Sequence, residues 1–255
     1  MTEVGERFDA DREVRIAGGL ALAVLAMLTA VKPLGGIPYV GPIAFTIAAV
    51  VQLYLPLWRI DTLKLGHDFI GLHTRTWRRD LRIVGWLVLI TFPPYIVGHY
   101  LFMTRAHDWA VQLGWLEVAH YLPRMKLHLH LPEGIGGWWA AVLWFGELVA
   151  THGLGVALPE ETFYRGYLQP RLEHLWAPGF SVFGVHIGKA AVLATALFAL
   201  GHFLGEWNPL RLGPFFPGLV FAWQRNATGS VVGCITYHAA CNLIGEILST
   251  QYTAG

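Results

Sequence analysis

Charge is what this chain most lacks. Asp, Glu, Lys and Arg together supply 14% of its 255 residues, where a soluble domain carries roughly 25%. Too few solvated side chains are present to cover a globule of this size, so a water-soluble fold is not expected. Neither sign dominates: the formal net charge of +1 gives no electrostatic footprint for nucleic acid. Cysteine is limited to Cys234 and Cys241. The two lie in one apolar segment, and on a single helix their spacing separates them by roughly 10 Å, too far for a bridge. A disulfide between them is thereby excluded, and the pair says nothing about redox compartment. Internal repeats, low-complexity stretches and any segment that reads as a soluble domain are also missing. What fills the chain is apolar: 55% hydrophobic residues, with 11 tryptophans, a residue that favours the membrane–water interface. The expected fold class is all-α, a polytopic transmembrane helical bundle.

Hydropathy places spans at Ile16–Val31, Val40–Trp58, Leu81–Phe102, Trp138–Leu158, Ile187–Leu204, Pro214–Arg225 and Ser230–Leu248. Most approach the ~20 residues that crossing requires. Pro93 and Pro94 should kink the third, with neighbouring helices re-satisfying the freed carbonyls. Met1–Arg15 is polar with mixed charge, and no small-residue cleavage site follows the first apolar run; that run reads as a retained anchor rather than a signal peptide. Arg59, Lys64, Arg75, Arg78, Arg79 and Arg82 crowd the connection between the second and third spans. The first connection has only Lys32, and the longer Met103–Gly137 loop only Arg105, Arg124 and Lys126. The positive-inside rule therefore puts the N-terminus and the Arg59–Arg82 loop in the cytoplasm.

The stretch Pro159–Arg171 stands out against this background. Pro159 suits the first turn of a new helix, where a missing N–H costs little. Glu160 and Glu161 would then sit where the helix dipole favours negative charge. Arg165 follows Glu161 by one helical turn, so the two side chains can meet on one face. Glu160–Trp176 admits two readings: a helix along the surface, giving seven spans, or one that dips back into the membrane, giving eight helices. Its charges Arg165, Arg171 and Glu173 favour the surface on hydropathy alone.

Further polar residues lie inside the spans. His202 ends the fifth, and His238 and Asn242 share a face of the seventh at i, i+4 spacing. Paired carboxylates with two histidines and an amide are what peptide hydrolysis needs. A Glu takes a proton from water, imidazole and carboxamide N–H groups hold the oxyanion, and an Arg keeps the second carboxylate ionised and oriented. Six costly residues in one bundle argue against unrelated structural roles. His99, His152 and Glu147 read instead as helix–helix hydrogen-bonding residues, and Glu246 as the end of its span. The His120–His130 loop resembles zinc spacing only weakly, and Asn226-Ala-Thr228 matches a glycosylation sequon by chance.

At these residues the sequence resembles the CPBP family, bacterial intramembrane proteases that also include the eukaryotic type II CAAX prenyl endopeptidases. The resemblance rests on Glu160-Glu161-Thr-Phe-Tyr-Arg165, Phe198-x-x-x-His202 and His238-x-x-x-Asn242, in family order, with the small-residue turn Ala227–Ser230 before the last. It covers about residues 138–250. The first 130 residues match only as apolar spans. The expected division is accordingly 1–137, N-terminal helices and loop, and 138–250, a catalytic transmembrane unit.

The resemblance implies a glutamate-dependent endopeptidase: Glu160 the base, Glu161 and Arg165 paired beside it, and His202, His238 and Asn242 positioning water and holding the oxyanion. Its members are described both as metalloproteases and as metal-independent enzymes. If zinc is present, Glu160, His202 and His238 are its ligands; Asn is a poor zinc ligand, so no cofactor is expected. Bringing Glu160 and His202 to one water favours the re-entrant reading, with eight helical segments and a site a turn or two inside the cytoplasmic face. The implied partners are the bilayer and a membrane-associated or lipid-modified protein substrate, with no nucleic acid. The implied location is a bacterial inner membrane. The alternative is a non-catalytic scaffold, an immunity protein or a small transporter; a transporter should show repeat symmetry between its halves, which the sequence lacks.

Overall fold

The computed structural model describes residues 9–129, 136–177 and 179–254. Its long helices are α1 (Ala10–Val31), α2 (Val40–Thr62), α3 (Trp77–Gln112), α4 (Trp138–Leu175), α5 (Lys189–Phe203), α6 (Phe215–Thr228) and α7 (Val232–Ser249). Each covers one of the apolar segments seen in the sequence. α1 to α4 are long and apolar enough to cross a membrane, while α5, at 15 residues, is apolar but shorter. α3 runs on through Pro93 and Pro94.

The all-α expectation needs a small addition. Strand β1 (Met125–Leu127) pairs antiparallel with β4 (Tyr252–Ala254), tying the loop after α3 to the chain end. Between α4 and α5, β2 (Phe180–Val182) and β3 (Val185–Ile187) form a hairpin. Its two turn residues, Phe183 and Gly184, both have positive φ, the backbone that matches strand twist in a two-residue turn.

α4 departs most from the sequence reading. Pro159 does not start a helix. The helix is continuous from Trp138 to Leu175, 38 residues, about 57 Å by helix rise. A proline inside an α-helix loses one hydrogen bond and presses on the carbonyl four residues back. The chain meets this with a widened turn: Thr151–Ala157 is π-helical, and the Leu158 N–H reaches back to the Gly153 carbonyl. The same arrangement recurs before Pro170, where Thr162–Leu168 is π-helical and the Gln169 N–H bonds the Tyr164 carbonyl. Single wide turns of this kind concentrate at functional sites. Glu160–Trp176 is thus neither a surface helix nor a separate re-entrant one.

The two halves of α4 have different surroundings. Trp138, Leu143 and Leu154 are exposed, whereas Phe163, Tyr164, Tyr167 and Leu168 are buried. The inner half packs against Ala17, Ala21 and Val24 of α1 and Ala190 and Ala194 of α5, small residues that let helices approach closely. A second cluster, Val84, Phe221, Cys234 and Tyr237, joins α3, α6 and α7. At Gly166 a Cβ would stand 2.7 Å from the Ile70 carbonyl oxygen, so only glycine lets the His67–Ile70 turn seat on α4. Exposed side chains such as Ile43, Ile47, Val50, Trp86, Leu89 and Ile90 suit contact with lipid.

The helix ends sort into two groups. Glu13 of α1 pairs with Arg59 at the end of α2, and the Val231 N–H at the start of α7 bonds the Gly71 carbonyl. The N-terminal helix start and the Arg-rich loop therefore share one end. Lys32, the end of α5 and the start of α6 lie at the other.

Candidate active site

The inner half of α4 carries Glu161 and Arg165 one turn apart, both fully buried, with Arg165 Nη1 donating to Glu161 Oε1 at 3.1 Å. Burial of such a pair is costly unless its remaining hydrogen-bonding capacity is used. Arg165 Nη2 donates to the Gly218 carbonyl at 3.1 Å, and the guanidinium carbon lies 4.4 Å from the Phe198 ring centre and 5.2 Å from that of Phe221. Gly218 is fixed by this packing: a Cβ there would stand 2.8 Å from Thr195 Cγ2 and 2.9 Å from Arg165 Nη2.

His238 of α7 meets the same carboxylate, its Nδ1 lying 2.7 Å from Glu161 Oε1. A carboxylate held ionised by arginine only accepts, so Nδ1 carries the proton and the ring orientation is set. Phe221 stacks on the imidazole at 4.8 Å and 18°. Nε2 then points to Glu160, 3.7 Å from its Oε2. That oxygen is buried and has no hydrogen-bond partner among the described residues.

His202 and Asn242 join His238 on the wall of one cavity of about 550 Å3 between α3, α5, α6 and α7. Its other walls are mainly apolar, with Phe92, Tyr95, Phe216, Phe221, Tyr237 and Ile244 among them. His202 Nδ1 lies 3.0 Å from the Phe198 carbonyl oxygen. A carbonyl only accepts, so this nitrogen also carries its proton, and in the neutral ring Nε2 is an acceptor. His238 thus joins two groups, Glu160, Glu161 and Arg165 reaching it from α4 and His202 and Asn242 sharing its cavity, whose lining does not include Glu160.

The cavity and the paired residues sit at different depths. Pro214, on the cavity wall, precedes α6, and Gly229 ends α6 beside Gly71 of the Arg-rich loop. The two are about 20 Å apart by helix rise. Glu161, however, stands five residues before Gly166, which packs on Ile70 of the Arg-rich loop, and His238 stands seven after Val231, whose N–H bonds Gly71, so by helix rise both lie about a turn or two inside that end, and the cavity runs from them toward the opposite one.

Sequence reasoning missed the residues that support the site. Phe221 and Gly218 carry no signal of their own. Neither does Lys32, whose Nζ donates to the His202 carbonyl and pairs with Glu206 at 3.4 Å. Glu206 in turn takes two hydrogen bonds from Arg211, from Nε and, at 2.8 Å, from Nη2. The Arg211 hydrogen bond, ahead of its charge and that of Lys32, holds the Glu206 carboxyl below its ordinary range.

Other polar residues fall elsewhere. His99 packs between the Tyr95 and Tyr252 rings. His152 Nδ1 is buried without a partner among the described residues, and Glu147 is exposed on α4. Glu246 is exposed near the end of α7. Asn226 is used in packing, accepting from Gln169 and donating to the His186 carbonyl. Both cysteines are free thiols. His130 lies outside the described residues, and among those described no three His, Cys, Asp or Glu side chains are placed to hold a metal.

No curated protein and no solved structure matches the chain. One family model does, over residues 129–244, a stretch that contains all six site residues. Through these residues, in a chain with four helices long and apolar enough to cross a membrane, the sequence is similar to the type II CAAX prenyl endopeptidase Rce1-like family, a family of proteases.

Proposed function

We propose that the chain is an intramembrane endopeptidase that hydrolyses peptide bonds of membrane-associated or lipid-modified proteins with a water activated by Glu160. The observation that carries this reading is the His238–Glu160 separation of 3.7 Å at the edge of the cavity. Two acceptors, a carboxylate oxygen and the Nε2 lone pair of a neutral imidazole, face each other there. The gap is too short for a water on the line between them, so the water that Glu160 activates lies to one side, against the accessible part of its side chain.

In the step this implies, an O–H bond of water breaks, its proton passes to Glu160, and the oxygen bonds to the scissile carbonyl carbon. The Asn242 amide N–H supports the oxyanion. Glu160 then returns the proton to the departing amine as the C–N bond breaks. Glu161, held by Arg165, orients His238. His202 acts from its Nε2 as an acceptor that positions water, which revises the oxyanion role first given to it.

Zinc on Glu160, His202 and His238 is the competing chemistry. Both imidazoles use Nδ1 within the protein, but we adopt the metal-free reading because Asn242 is a poor zinc ligand and an amide suits an oxyanion contact better. A strong chelator leaves cleavage intact on this reading, whereas a zinc enzyme loses activity and regains it on adding zinc.

The reading also holds that residues 138–250 form the catalytic unit and that α1 to α7 all belong to the membrane bundle, short of the eighth helix first expected. With the N-terminus and Arg59–Arg82 in the cytoplasm of a bacterial inner membrane, the cavity faces the outer half of the bilayer.

The experiment is a comparison of protein termini in membranes from cells lacking the protein, complemented with wild type or with Glu160→Gln. Proteolysis predicts new termini within or beside apolar segments with wild type alone. Identical termini in both would favour a non-catalytic scaffold.

A further inference from the structure

Four carbonyls at a helix C-terminus have no intrahelical donor. At the end of α5, the Leu200 carbonyl is met by the Leu204 N–H at 2.9 Å and the Phe203 carbonyl by the Trp207 N–H at 2.9 Å. The His202 carbonyl is met instead by a side chain from the other end of the sequence, Lys32 at the close of α1. The Lys32 side chain is only 10% exposed. Its stem has been given room: Gly205 has φ +89°, and a Cβ there would stand 3.0 Å from the Thr29 carbonyl oxygen and 3.1 Å from Lys32 Cβ. One turn earlier, a Cβ on Gly201 would meet Leu28 Cδ1 at 3.2 Å. Two glycines thus let α1 and the end of α5 close on each other.

We infer that Lys32 is a positioning residue for His202, clamping the last turn of α5 so that the imidazole faces the cavity. Glu206 completes the clamp. It binds Lys32 on one side and Arg211 on the other, and Arg211 lies in the Pro209–Leu212 turn that leads into the cavity-lining residues Gly213 and Pro214. The clamp therefore fixes His202 against the start of α6 as well. The inference rests on the proteolytic reading for its consequence in catalysis, but its structural claim can be tested without a substrate.

The test is hydrogen–deuterium exchange by mass spectrometry on the full chain in detergent, comparing wild type, Lys32→Met, Glu206→Gln and the double variant. Lys32→Met should speed exchange at the end of α5 and the following loop by about tenfold, the loss of one charge-assisted hydrogen bond, with the rest of the bundle at wild-type rates. Glu206→Gln leaves Lys32 on the carbonyl and should do less. The double variant should exceed Lys32→Met only by what the exposed Glu206–Arg211 pair adds, less than the sum of the two singles, as coupled residues do. Unchanged exchange in Lys32→Met, or an increase spread evenly over all helices, overturns the inference. On a substrate identified by the terminus comparison, Lys32→Met should lower kcat with KM unchanged; a KM effect alone would overturn the positioning role. A wild type that cleaves nothing would sink the proteolytic reading, and the exchange data would still decide whether Lys32 holds α5.

Discussion

A single oxygen of Glu161, Oε1, accepts from Arg165 Nη1 at 3.1 Å and from His238 Nδ1 at 2.7 Å. The carboxylate is therefore a junction between α4 and α7 rather than a local partner for the arginine one turn along. One contact pairs it with a charge on its own helix, and the other orients an imidazole on α7.

Glu161→Gln should damage both functions of this junction. The amide cannot balance Arg165, and an uncompensated buried charge costs about 3–5 kcal/mol. Melting in detergent should fall accordingly, and cleavage should drop about 10- to 100-fold, as for other carboxylates that orient functional histidines. Pairing the change with Arg165→Met removes the stranded charge, so the double variant should melt above the single one. A wild-type melt for Glu161→Gln would contradict the buried pair.

Gly218→Ala offers a separate probe of Arg165. Its methyl would press on Arg165 Nη2 and Thr195 Cγ2 at under 3 Å, and overpacking of this kind costs about 1–3 kcal/mol. Melting should fall by that amount, and cleavage should fall with it because the shifted guanidinium carries Glu161 along.

Pro159→Ala should separate stability from activity. Removing a helix-interior proline takes away a cost of about 3 kcal/mol and with it the need for the wide turn at Thr151–Ala157. If that turn closes, each residue taken up rotates the following chain by about 100°, and Glu160 leaves His238. The expected result is a melt at or above wild type with cleavage largely lost; full activity would show that the wide turn does not set the site.

Asn242→Ala removes the amide assigned to the oxyanion. Loss of one such donor typically costs on the order of 10²- to 10³-fold in kcat, and KM should change little. Steady-state kinetics on the reconstituted enzyme would show it.

Much of this architecture is legible in the sequence, because apolar runs and costly polar residues are strong signals. All the apolar segments became helices, and Glu160, Glu161, Arg165, His202, His238 and Asn242 meet as the motif spacing suggests. Pro159 misled because proline before two carboxylates is an ordinary helix start, and a wide turn that accommodates proline has no signature of its own. The misreading made a separate helix of residues that form the inner half of α4. The Glu161–His238 bond joins residues that no periodicity relates. Lys32 reads as an isolated loop charge until the fold brings it to His202, and the β1–β4 pair is too short to announce itself.

Cleavage of a membrane-anchored substrate by purified wild type and Glu160→Gln, each reconstituted in liposomes, tests the central claim most directly. Glutamine keeps the shape and still hydrogen-bonds, but it cannot take the proton of water. The account predicts a rate at least about 100-fold lower for the variant, the low end of what a positioned base supplies, with melting unchanged. A variant that cleaves within a few-fold of wild type, and loses that activity only when chelated, would contradict it.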